Sequence, residues 1–296
     1  LSSGKDKTRN AEKVKVVLEL RHKYPFQKIL NYLKLSRSTY YYNIATMTKD
    51  NKDIYIQKRI KEIFQQNYCR YGYRRITLEL NKEGKINHKK VKRIMKELGL
   101  FAIRKKGKYK SYKGEFSKIC KNYLLEDGKR NFKTTCFNEK WTTDVSEFHI
   151  PAGKLYLSPI LDMHNREIIS YSISKSPNFN QTLNMLKKAL SKFHNLKGLI
   201  FHSDQGWQYQ MPMYQKILKE KGIIQSMSRK GNCLDNSLME NYFGIMKNEM
   251  FYGHEFEFKT LHDLEQAMIK YIDYYNKKRI TVKLKGLCPL EYRQQS

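Results

Sequence analysis

The sequence lacks the features of membrane proteins and of disulfide-rich or zinc-binding modules. No stretch approaches 18 consecutive apolar residues, so we expect no membrane-spanning segment and no membrane partner. No charged segment followed by an apolar one marks a secretory leader. The five cysteines are scattered, and no two form a Cys-x-x-Cys pair, which argues against a disulfide framework or a zinc knuckle. We therefore expect a soluble protein of the cytoplasm, where thiols stay reduced.

Acidic residues are scarce, and the excess of basic over acidic residues is larger in the first half of the chain than in the second. The chain has 28 acidic and 58 basic side chains, a net charge of +30. Residues 1–130 contain 35 basic and 12 acidic side chains, so the front half carries +23 and the remainder only +7. Such a charge favours a polyanionic partner. Because the basic residues alternate with tyrosines and with apolar residues at helical spacing, we expect double-stranded DNA rather than acidic lipid.

The first part of the chain, 1–48, has the outline of a helix-turn-helix unit. Apolar residues recur at helical spacing in "AEKVKVVLELRHKY". The segment "PFQKILNYLKLSRSTYYYN" then predicts a helix, a tight turn at Leu35-Ser36 and a second helix that opens at Arg37, a candidate DNA contact. Two core-packed helices with a solvated basic face remain the alternative.

Residues 51–105 predict a three-helix basic DNA-binding domain. Its helices correspond to "IYIQKRIKEIFQQN", to "YGYRRITLELNKEG", which Gly84 closes, and to "INHKKVKRIMKELGL", which Gly99 closes. Arg74 and Arg75 are the candidate DNA contacts on the second helix. A basic linker, 106–135, follows, and we expect Lys105 and Lys106, at the junction of the domain and the linker, to touch phosphate.

The texture changes after residue 136, where strands alternate with helices. Five segments read as strands: "KWTTDVSEFHI", "KLYLSPILDM", "EIISYSISKS", "GLIFHSD" and "IIQSMS". Helices separate the later ones, which predicts an α/β fold with a mixed five-stranded sheet flanked by helices over 136–250. A helical extension, 251–296, completes the chain.

Three carboxylates stand where such a fold would gather functional groups. Asp144 lies within the first strand, Asp204 ends the fourth, and Glu240 lies on the helix that follows the fifth. Three neighbouring carboxylates repel one another, and a divalent metal relieves that repulsion. Oxygen-only ligands favour Mg²⁺ or Mn²⁺, and two such ions would support phosphodiester cleavage or transfer.

Glu240 is predicted to face away from the apolar stripe of its helix, together with Lys247 seven residues later. That stripe comprises Leu238, Tyr242, Ile245 and Met246. Each acid also has a simpler explanation: Asp204 could form an Asx-turn or a helix cap, Glu240 a capping box with Ser237, and Asp144 an ion pair with a lysine.

Three blocks carry a specific family resemblance. "WTTDVSEF", "HSDQGWQY" and "SRKGNCLDNSLMENYFGIMKNE" resemble the signature blocks of bacterial insertion-sequence transposases of the IS-three family. The 35 residues between Asp204 and Glu240 match that group's DD(35)E spacing. The helical segment from Tyr71 and the C-terminal "YYNKKRITVKLKGLCPLEYR" resemble its flanking blocks, so the resemblance covers nearly all of 30–293.

The resemblance implies an RNase H-like core preceded by small all-α domains of helix-turn-helix type. It implies that Asp144, Asp204 and Glu240 form the catalytic, metal-binding triad and that Lys247 contacts the DNA end. Motif positions near the triad would shape the site and its DNA contacts. Those are Gly206, Gln208, Tyr209, Gly231, Asn232, Asp235 and the candidate DNA contacts Arg229, Lys230 and Asn236.

The implied reaction cleaves an element end with water and joins the freed 3′-OH to another phosphodiester. The implied partners are terminal inverted repeats, target DNA and further copies of the chain. An upstream-frame product is a further partner if this chain is the downstream frame's product; the alternative is a variant with its own short N-terminal DNA-binding unit. Three alternatives stay open. A tyrosine recombinase lacks its Arg…His-x-x-Arg…Tyr arrangement here, while a junction resolvase or RNase H, or a repressor with an inactive core, would share the fold.

Overall fold

The computed structural model describes residues 2–102, 120–229 and 231–295, with side chains not described at 2–9, 46–52 and 233. Three candidate DNA contacts, Lys105, Lys106 and Lys230, lie outside the described residues, as does much of the predicted linker. The chain forms two compact units, 1–101 and 102–296. No helix in the described ranges is long and apolar enough to cross a membrane.

The first unit begins with three helices around one small core. These are α1 (Ser2–Leu20), α2 (Phe26–Tyr32) and α3 (Arg37–Gln66). The Ser36 hydroxyl accepts the Thr39 N–H at 3.0 Å and caps α3, so the helix starts at Arg37, where the sequence predicts it. The buried core side chains are Val14, Val17, Ile29, Leu30, Leu35 and Tyr40. The predicted helix-turn-helix outline is therefore formed.

Helix α3 continues through the predicted boundary between residues 48 and 51. Its 30 residues span about 45 Å, and its second half packs against α4 (Tyr73–Glu83) and α5 (His88–Glu97). The two predicted helical domains thus share one helix and belong to one unit. The physical reason is that residues 44–56 contain neither proline nor glycine, so nothing stops the helix there.

The second unit is built on one mixed sheet. After a short ribbon of β1 (Leu125–Glu126) and β2 (Lys129–Arg130), its strands are β3 (Lys140–Thr143), β4 (Ser146–Ile150), β5 (Gly153–Asp162), β6 (Ile168–Ser174), β7 (Ile200–Ser203) and β8 (Ile224–Met227). Strand β5 pairs antiparallel with β6 on one side and with both β3 and β4 on the other. Strands β3, β7 and β8 run parallel.

All five predicted strand segments are present, but the sheet has six strands. The first predicted strand is broken at Asp144-Val145 into β3 and β4. Both pieces still line the same side of β5, so the sheet is five strands wide. The prediction of an RNase H-like mixed sheet is confirmed, with this correction to the strand count.

Helices cover both faces of the sheet. On one face, α6 (Phe179–Leu190) and α7 (Pro212–Glu220) pack in a core with Trp141, Ile160 and Phe201. On the other face, α8 (Ser237–Met246) and α9 (Leu261–Lys277) pack in a second core with Leu157 and Leu161. This three-layer arrangement buries β3 completely, so the carboxyl end of that strand is held firmly by packing on both faces.

The predicted C-terminal extension packs onto the sheet unit. Its last helix is α10 (Pro289–Gln295). The Arg293 guanidinium binds Asp162, the last residue of β5, at 3.1 Å and Glu167, in the turn that follows, at 2.5 Å. The Asn165 amide donates to the Pro289 carbonyl at 3.0 Å. Because these acids and the amide are largely buried, the segment is part of the core's packing.

Candidate active site

Asp144 stands at the break between β3 and β4. The two preceding residues, Thr142 and Thr143, are fully buried, and the Thr143 hydroxyl donates to the Pro159 carbonyl at 2.8 Å. Asp144 therefore follows the end of a rigid strand; the prediction that it lies within one is wrong. Its Oδ1 accepts the Val145 N–H at 2.7 Å, and the side chain is half-buried.

Asp204 follows the last residue of β7, as predicted. Strands β3 and β7 are parallel neighbours, with Thr142 paired with His202. Counting two residues on from that pair puts Asp144 and Asp204 level with each other. Neighbouring strands lie about 4.8 Å apart, so the register alone brings the two carboxylates to the same edge of the sheet.

The turn after Asp204 holds its carboxylate. Oδ1 accepts the backbone N–H of Gly206 at 2.9 Å. The predicted Asx-turn is thus present, and it orients the acid at the sheet edge. A Cβ atom at position 206 would meet the Gln208 amide at 2.7 Å and the same Asp204 oxygen at 2.9 Å. A side chain at 206 would therefore require the Gln208 amide or the Asp204 carboxylate to move.

The two carboxyl groups resist ionisation. Burial raises the pKa of both, and for Asp204 the Gly206 N–H works in the opposite direction. The charge of Asp204 further raises the pKa of Asp144, because the repulsion within a coupled pair falls on the group that ionises second. The charge of Glu240 raises the pKa of Asp144 as well, by less than burial or Asp204, so both other acids act on Asp144.

Glu240 lies half-buried in the first turn of α8. The predicted capping box with Ser237 does not form, because Asn236 precedes the helix and its side chain makes no cap there. The buried stripe of α8 is Met239, Tyr242, Phe243 and Met246, while Leu238 and Ile245 are half-buried, one position off the prediction. Within the described ranges, no three acidic, histidine or cysteine side chains are grouped closely enough to hold a metal.

Asn236 fixes the start of α8 to the end of β3. Its amide donates to the Thr143 carbonyl at 3.1 Å, and its carbonyl oxygen accepts the Thr142 hydroxyl. The side chain is buried and used at both ends. Asn236 therefore ties the helix of Glu240 to the strand that precedes Asp144, and the DNA contact predicted for it stays a prediction.

Lys247 is the cation of the site. It begins a π-helical turn, Lys247–Phe251, in which its carbonyl accepts the Tyr252 N–H at 2.7 Å. Its ammonium lies 4.9 Å from the centre of the Phe148 ring. Burial lowers the pKa of Lys247, whereas the charges of Glu147 and Asp144 act to raise it. Lys247 thus stands within electrostatic reach of Asp144, beside the predicted triad.

A buried acid, Asp235, organises the loop before α8. It accepts hydrogen bonds from Arg229 at 3.0 Å, Arg130 at 2.8 Å and Asn122 at 3.0 Å. Burial acts to raise the pKa of Asp235, but the hydrogen bonds from Arg229 and Arg130 outweigh it and lower that pKa. Arg229, a predicted DNA contact, is therefore committed to an ion pair. No sequence spacing indicates Arg130, because it is 105 residues from Asp235.

His202 joins β7, the strand that precedes Asp204, to β8. Its ring nitrogens contact the hydroxyls of Ser226 at 2.9 Å and Ser228 at 3.1 Å, both on or beside β8. Burial lowers the pKa of His202 to about 4, so the ring is neutral at physiological pH. These contacts between uncharged groups hold β7 against β8 at His202, two residues before Asp204.

The predicted DNA contacts of the first unit have separate surroundings. Arg37 is exposed and lies 5.7 Å from the Phe26 ring centre. Arg74 is exposed, and its Nε donates to the Tyr73 hydroxyl at 3.2 Å. Arg75 is half-buried, and its guanidinium carbon lies 5.2 Å from the centre of the Tyr71 ring. Arg37 and Arg74 are thus accessible to a ligand, and Arg75 is less so.

Comparisons with known proteins agree with this architecture. Residues 134–233 and 240–296 each match a family described as "Integrase core domain", and residues 50–108 match an "HTH-like domain". The chain is 50% identical over 284 residues to InsK of insertion sequence element IS150 from Escherichia coli K12, covering 96% of this chain and 98% of that one.

More distant similarities extend the same pattern. The chain is 30% identical to the transposase InsF of insertion sequence IS3A from E. coli K12, covering 79% and 80% of the two chains. The HTLV-2 integrase catalytic core, solved with magnesium, is 21% identical with a TM-score of 0.43, covering 52% of this chain and 95% of that one. The sequence relatives and the integrase core profiles show that the chain belongs to the insertion-sequence transposases of the IS-three family, the DDE transposases of DNA transposition and integration.

Proposed function

We propose that the sheet unit cleaves DNA at the ends of its insertion sequence and joins the freed 3′-OH to target DNA, using Asp144, Asp204 and Glu240. The observation that carries this proposal is the parallel register of β3 and β7, which sets Asp144 and Asp204 level at one sheet edge. The electrostatic effect of Glu240 on Asp144 supports the third member.

The donor set suits a divalent cation of the Mg²⁺ or Mn²⁺ type. All three groups are carboxylates, which such ions prefer over nitrogen or sulfur ligands. Burial raises the pKa of both Asp144 and Asp204, and a bound cation would favour their charged forms. We propose that Asp144 and Asp204 hold one or two ions and that Glu240 joins them. Bound there, the metal would stabilise negative charge developing on the phosphodiester.

The reaction has two displacements at phosphorus. A water oxygen attacks the phosphodiester at the element end, the bond from phosphorus to the 3′ oxygen breaks, and that oxygen leaves as a hydroxyl. The hydroxyl then attacks a target phosphodiester and displaces its 3′ oxygen in turn. Lys247, beside Asp144, supplies a positive charge for a phosphate of the bound end. No protein nucleophile is needed, because water and the 3′-OH supply both attacking oxygens.

The basic side chains of α5 fall into two groups, and the first is already paired with acidic side chains. Lys90 and Arg93 both bind Asp53 of α3, at 2.5 and 2.8 Å. Arg93 also binds Glu97 at 2.8 Å. These contacts lower the pKa of Asp53 through hydrogen bonds from Lys90 and Arg93. We infer that this group holds α5 against α3.

The second group forms an exposed stripe that we propose as the DNA-binding face of the first unit. Lys89, Lys92 and Lys96 recur every three to four residues on α5 and are exposed. Lys92 and Arg74 both lie over the Tyr73 ring, at 5.6 and 5.7 Å from its centre. The exposed basic surface therefore continues from α5 to the first turn of α4. We propose that a multimer of the chain uses this face on the terminal inverted repeats.

A strand-transfer assay with the element's own ends tests the catalytic proposal. Wild type should cleave and join in Mg²⁺ or Mn²⁺ and be inactive in EDTA. Asp204→Asn and Glu240→Gln should each abolish both steps while DNA affinity stays within a few-fold. Cleavage by Glu240→Gln would reduce that residue to a structural role. DNA binding without any cleavage by wild type would favour a repressor with an inactive core.

A further inference from the structure

A buried ion pair holds the π-helical turn that begins at Lys247. Glu249 lies in the middle of that turn, and both of its carboxylate oxygens accept hydrogen bonds from Arg279, at 2.8 and 2.7 Å. The Tyr271 hydroxyl donates to the same carboxylate at 2.9 Å. The side chains of Arg279 and Glu249 are only 1% and 11% exposed. Because a planar guanidinium binds both oxygens, it fixes the direction of the carboxylate as well as its position.

The partners of Glu249 are themselves fixed to α9. Tyr271 is a buried residue of that helix, and Arg279 follows two residues after its end. The Arg279 N–H donates to the Tyr274 carbonyl at 2.9 Å, and its guanidinium carbon lies 5.5 Å from the centre of the Tyr275 ring. Since α9 packs in the core beneath the sheet, the ion pair connects the π-helical turn to a well-packed layer.

The two ends of the turn contact one aromatic ring beside the acidic site. The Lys247 ammonium lies 4.9 Å from the centre of the Phe148 ring. Phe251, at the other end of the turn, packs edge-on against that ring with centroids 5.2 Å apart. Phe148 is a fully buried residue of β4, the strand that starts two residues after Asp144. The turn is thus held on β4 by its two ends and on α9 by Glu249 in its middle.

This combination is better suited to fixing a direction than to adding stability. A π-helical turn is rare and occurs frequently at functional sites. A buried ion pair is often no more stabilising than apolar side chains of similar volume. We propose that Arg279 is a positioning residue that fixes Glu249 and, through the π-helical turn, holds the Lys247 ammonium at β4 beside Asp144. The inference rests on the proposed function, in which Lys247 meets a phosphate of the bound DNA end.

A double-mutant cycle between Arg279 and Lys247 separates positioning from general stability. Lysine at 279 keeps the positive charge but loses the planar, two-point hold on Glu249. Single-turnover cleavage of the element end by the full chain in Mg²⁺ should fall about tenfold in Arg279→Lys, because misplaced groups cost rate. In the Lys247→Gln background the same substitution should change the rate by less than about twofold, since no cation is left to misplace.

Arg293→Lys is the matched control. Arg293 also binds two acids of the sheet unit, Asp162 and Glu167, but at the end of β5 rather than at the π-helical turn. Its substitution should change the cleavage rate by the same factor whether or not Lys247 is present.

A milder variant covers the case in which Arg279→Lys does not fold. Tyr271→Phe removes one hydrogen bond from Glu249 and keeps the ion pair. It should lower the rate by less than Arg279→Lys, and again only when Lys247 is present.

Amide hydrogen exchange tests the turn without using activity. The Tyr252 N–H donates to the Lys247 carbonyl at 2.7 Å across the turn. Its exchange in DNA-free Arg279→Lys should be about tenfold faster than in wild type, because the turn opens locally more often, while the amides of β5 keep their protection.

The outcomes distinguish the two proposals. Unchanged exchange at Tyr252 in Arg279→Lys would overturn the positioning role and leave the role of Lys247 intact. Equal rate losses with and without Lys247 would overturn it too, because Arg279 would then serve general stability. A fully active Lys247→Gln would instead remove Lys247 from the proposed function, and this inference with it.

Discussion

The backbone N–H of Gly206 donates to Oδ1 of Asp204 at 2.9 Å, and that same oxygen occupies the space where a side chain at 206 would begin. The glycine is not needed for backbone freedom, since its φ of −58° suits any residue. Its absent side chain matters because a Cβ at 206 would lie within 3.0 Å of the Asp204 carboxylate and the Gln208 amide, so one of them would have to move. A small residue thus sets the direction of an acid two positions earlier.

Gly206→Ala should therefore act on catalysis more than on folding. The new Cβ would displace the Asp204 carboxylate or the Gln208 side chain, and overpacking of this kind costs about 1–3 kcal/mol. We expect strand transfer to fall by at least about tenfold, since a misplaced catalytic group costs more in rate than in stability. Gly244→Ala is the control, because a Cβ there meets no atom within 4 Å. Equal activity of both variants would contradict the crowding argument.

Asp144→Asn should stabilise the metal-free protein at neutral pH. The pKa of Asp144 is raised in the folded state by burial and by Asp204, above the ordinary value of about 3.9. Between those two values the folded state binds more protons than the unfolded state, so stability falls as pH rises through that window. Asparagine mimics the protonated acid and removes this penalty at pH 7.

Thermal unfolding across pH measures this effect. Tm of Asp144→Asn should exceed that of wild type at pH 7, by about 2–4 °C for each kcal/mol of repulsion relieved, and the difference should vanish near pH 4. Adding Mg²⁺ should stabilise wild type more than the variant. A variant less stable than wild type at pH 7 without metal would show that Asp144 has a stabilising partner.

The sequence predicts most of the sheet unit because the relevant signals are local. Apolar runs mark each strand, and Asp204 directly follows its strand along the chain. The sequence does not reveal the break at Asp144, since "KWTTDVSEFHI" alternates without a glycine or proline to indicate an interruption. What interrupts it is the geometry of β5, whose partner changes from β3 to β4.

Roles that depend on distant partners could not be predicted. Arg229 and Asn236 sit in a motif that resembles a DNA-contacting block, yet one binds Asp235 and the other binds β3. Nothing local to "GNCLDN" shows that Asp235 also receives Arg130 from a distant part of the chain. Burial and pairing decide between a ligand contact and a structural one, and both are properties of the fold.

The pairing of Asp235 predicts unequal effects within its cluster. Asp235→Asn leaves Arg130 and Arg229 without their shared counter-charge. Because these side chains are 32% and 46% exposed, the loss should stay below the about 3–5 kcal/mol of a fully buried ion pair. Arg229→Gln should cost far less, because its side chain is 46% exposed and Arg130 still pairs with the acid. Chemical denaturation measures both. If Arg229→Gln instead weakens DNA binding severalfold with unchanged stability, its guanidinium is a DNA contact.

His202 predicts a loss of stability in mild acid. Its pKa is about 4 in the folded protein, against about 6.5 when unfolded. The unfolded state therefore takes up the proton first, and stability falls as pH drops from 6.5 towards 4, by up to about 3 kcal/mol. His202→Asn should flatten this part of the profile, whereas substitution of exposed His194 should leave it as in wild type. An unchanged slope in His202→Asn would assign the acid lability to another group.

The lysine stripe of α5 predicts how binding of the full-length chain to its terminal repeat responds to salt. Replacing Lys89, Lys92 and Lys96 together by glutamine should weaken binding. The slope of log affinity against log salt should fall by about 0.9 for each phosphate that the variant no longer neutralises. Lys82→Gln is the matched control, because Lys82 already binds Glu79 at 3.0 Å on α4. Thermal unfolding should show both proteins folded, since all these side chains are exposed. A triple variant that keeps the wild-type slope would place the DNA-binding face elsewhere on the first unit.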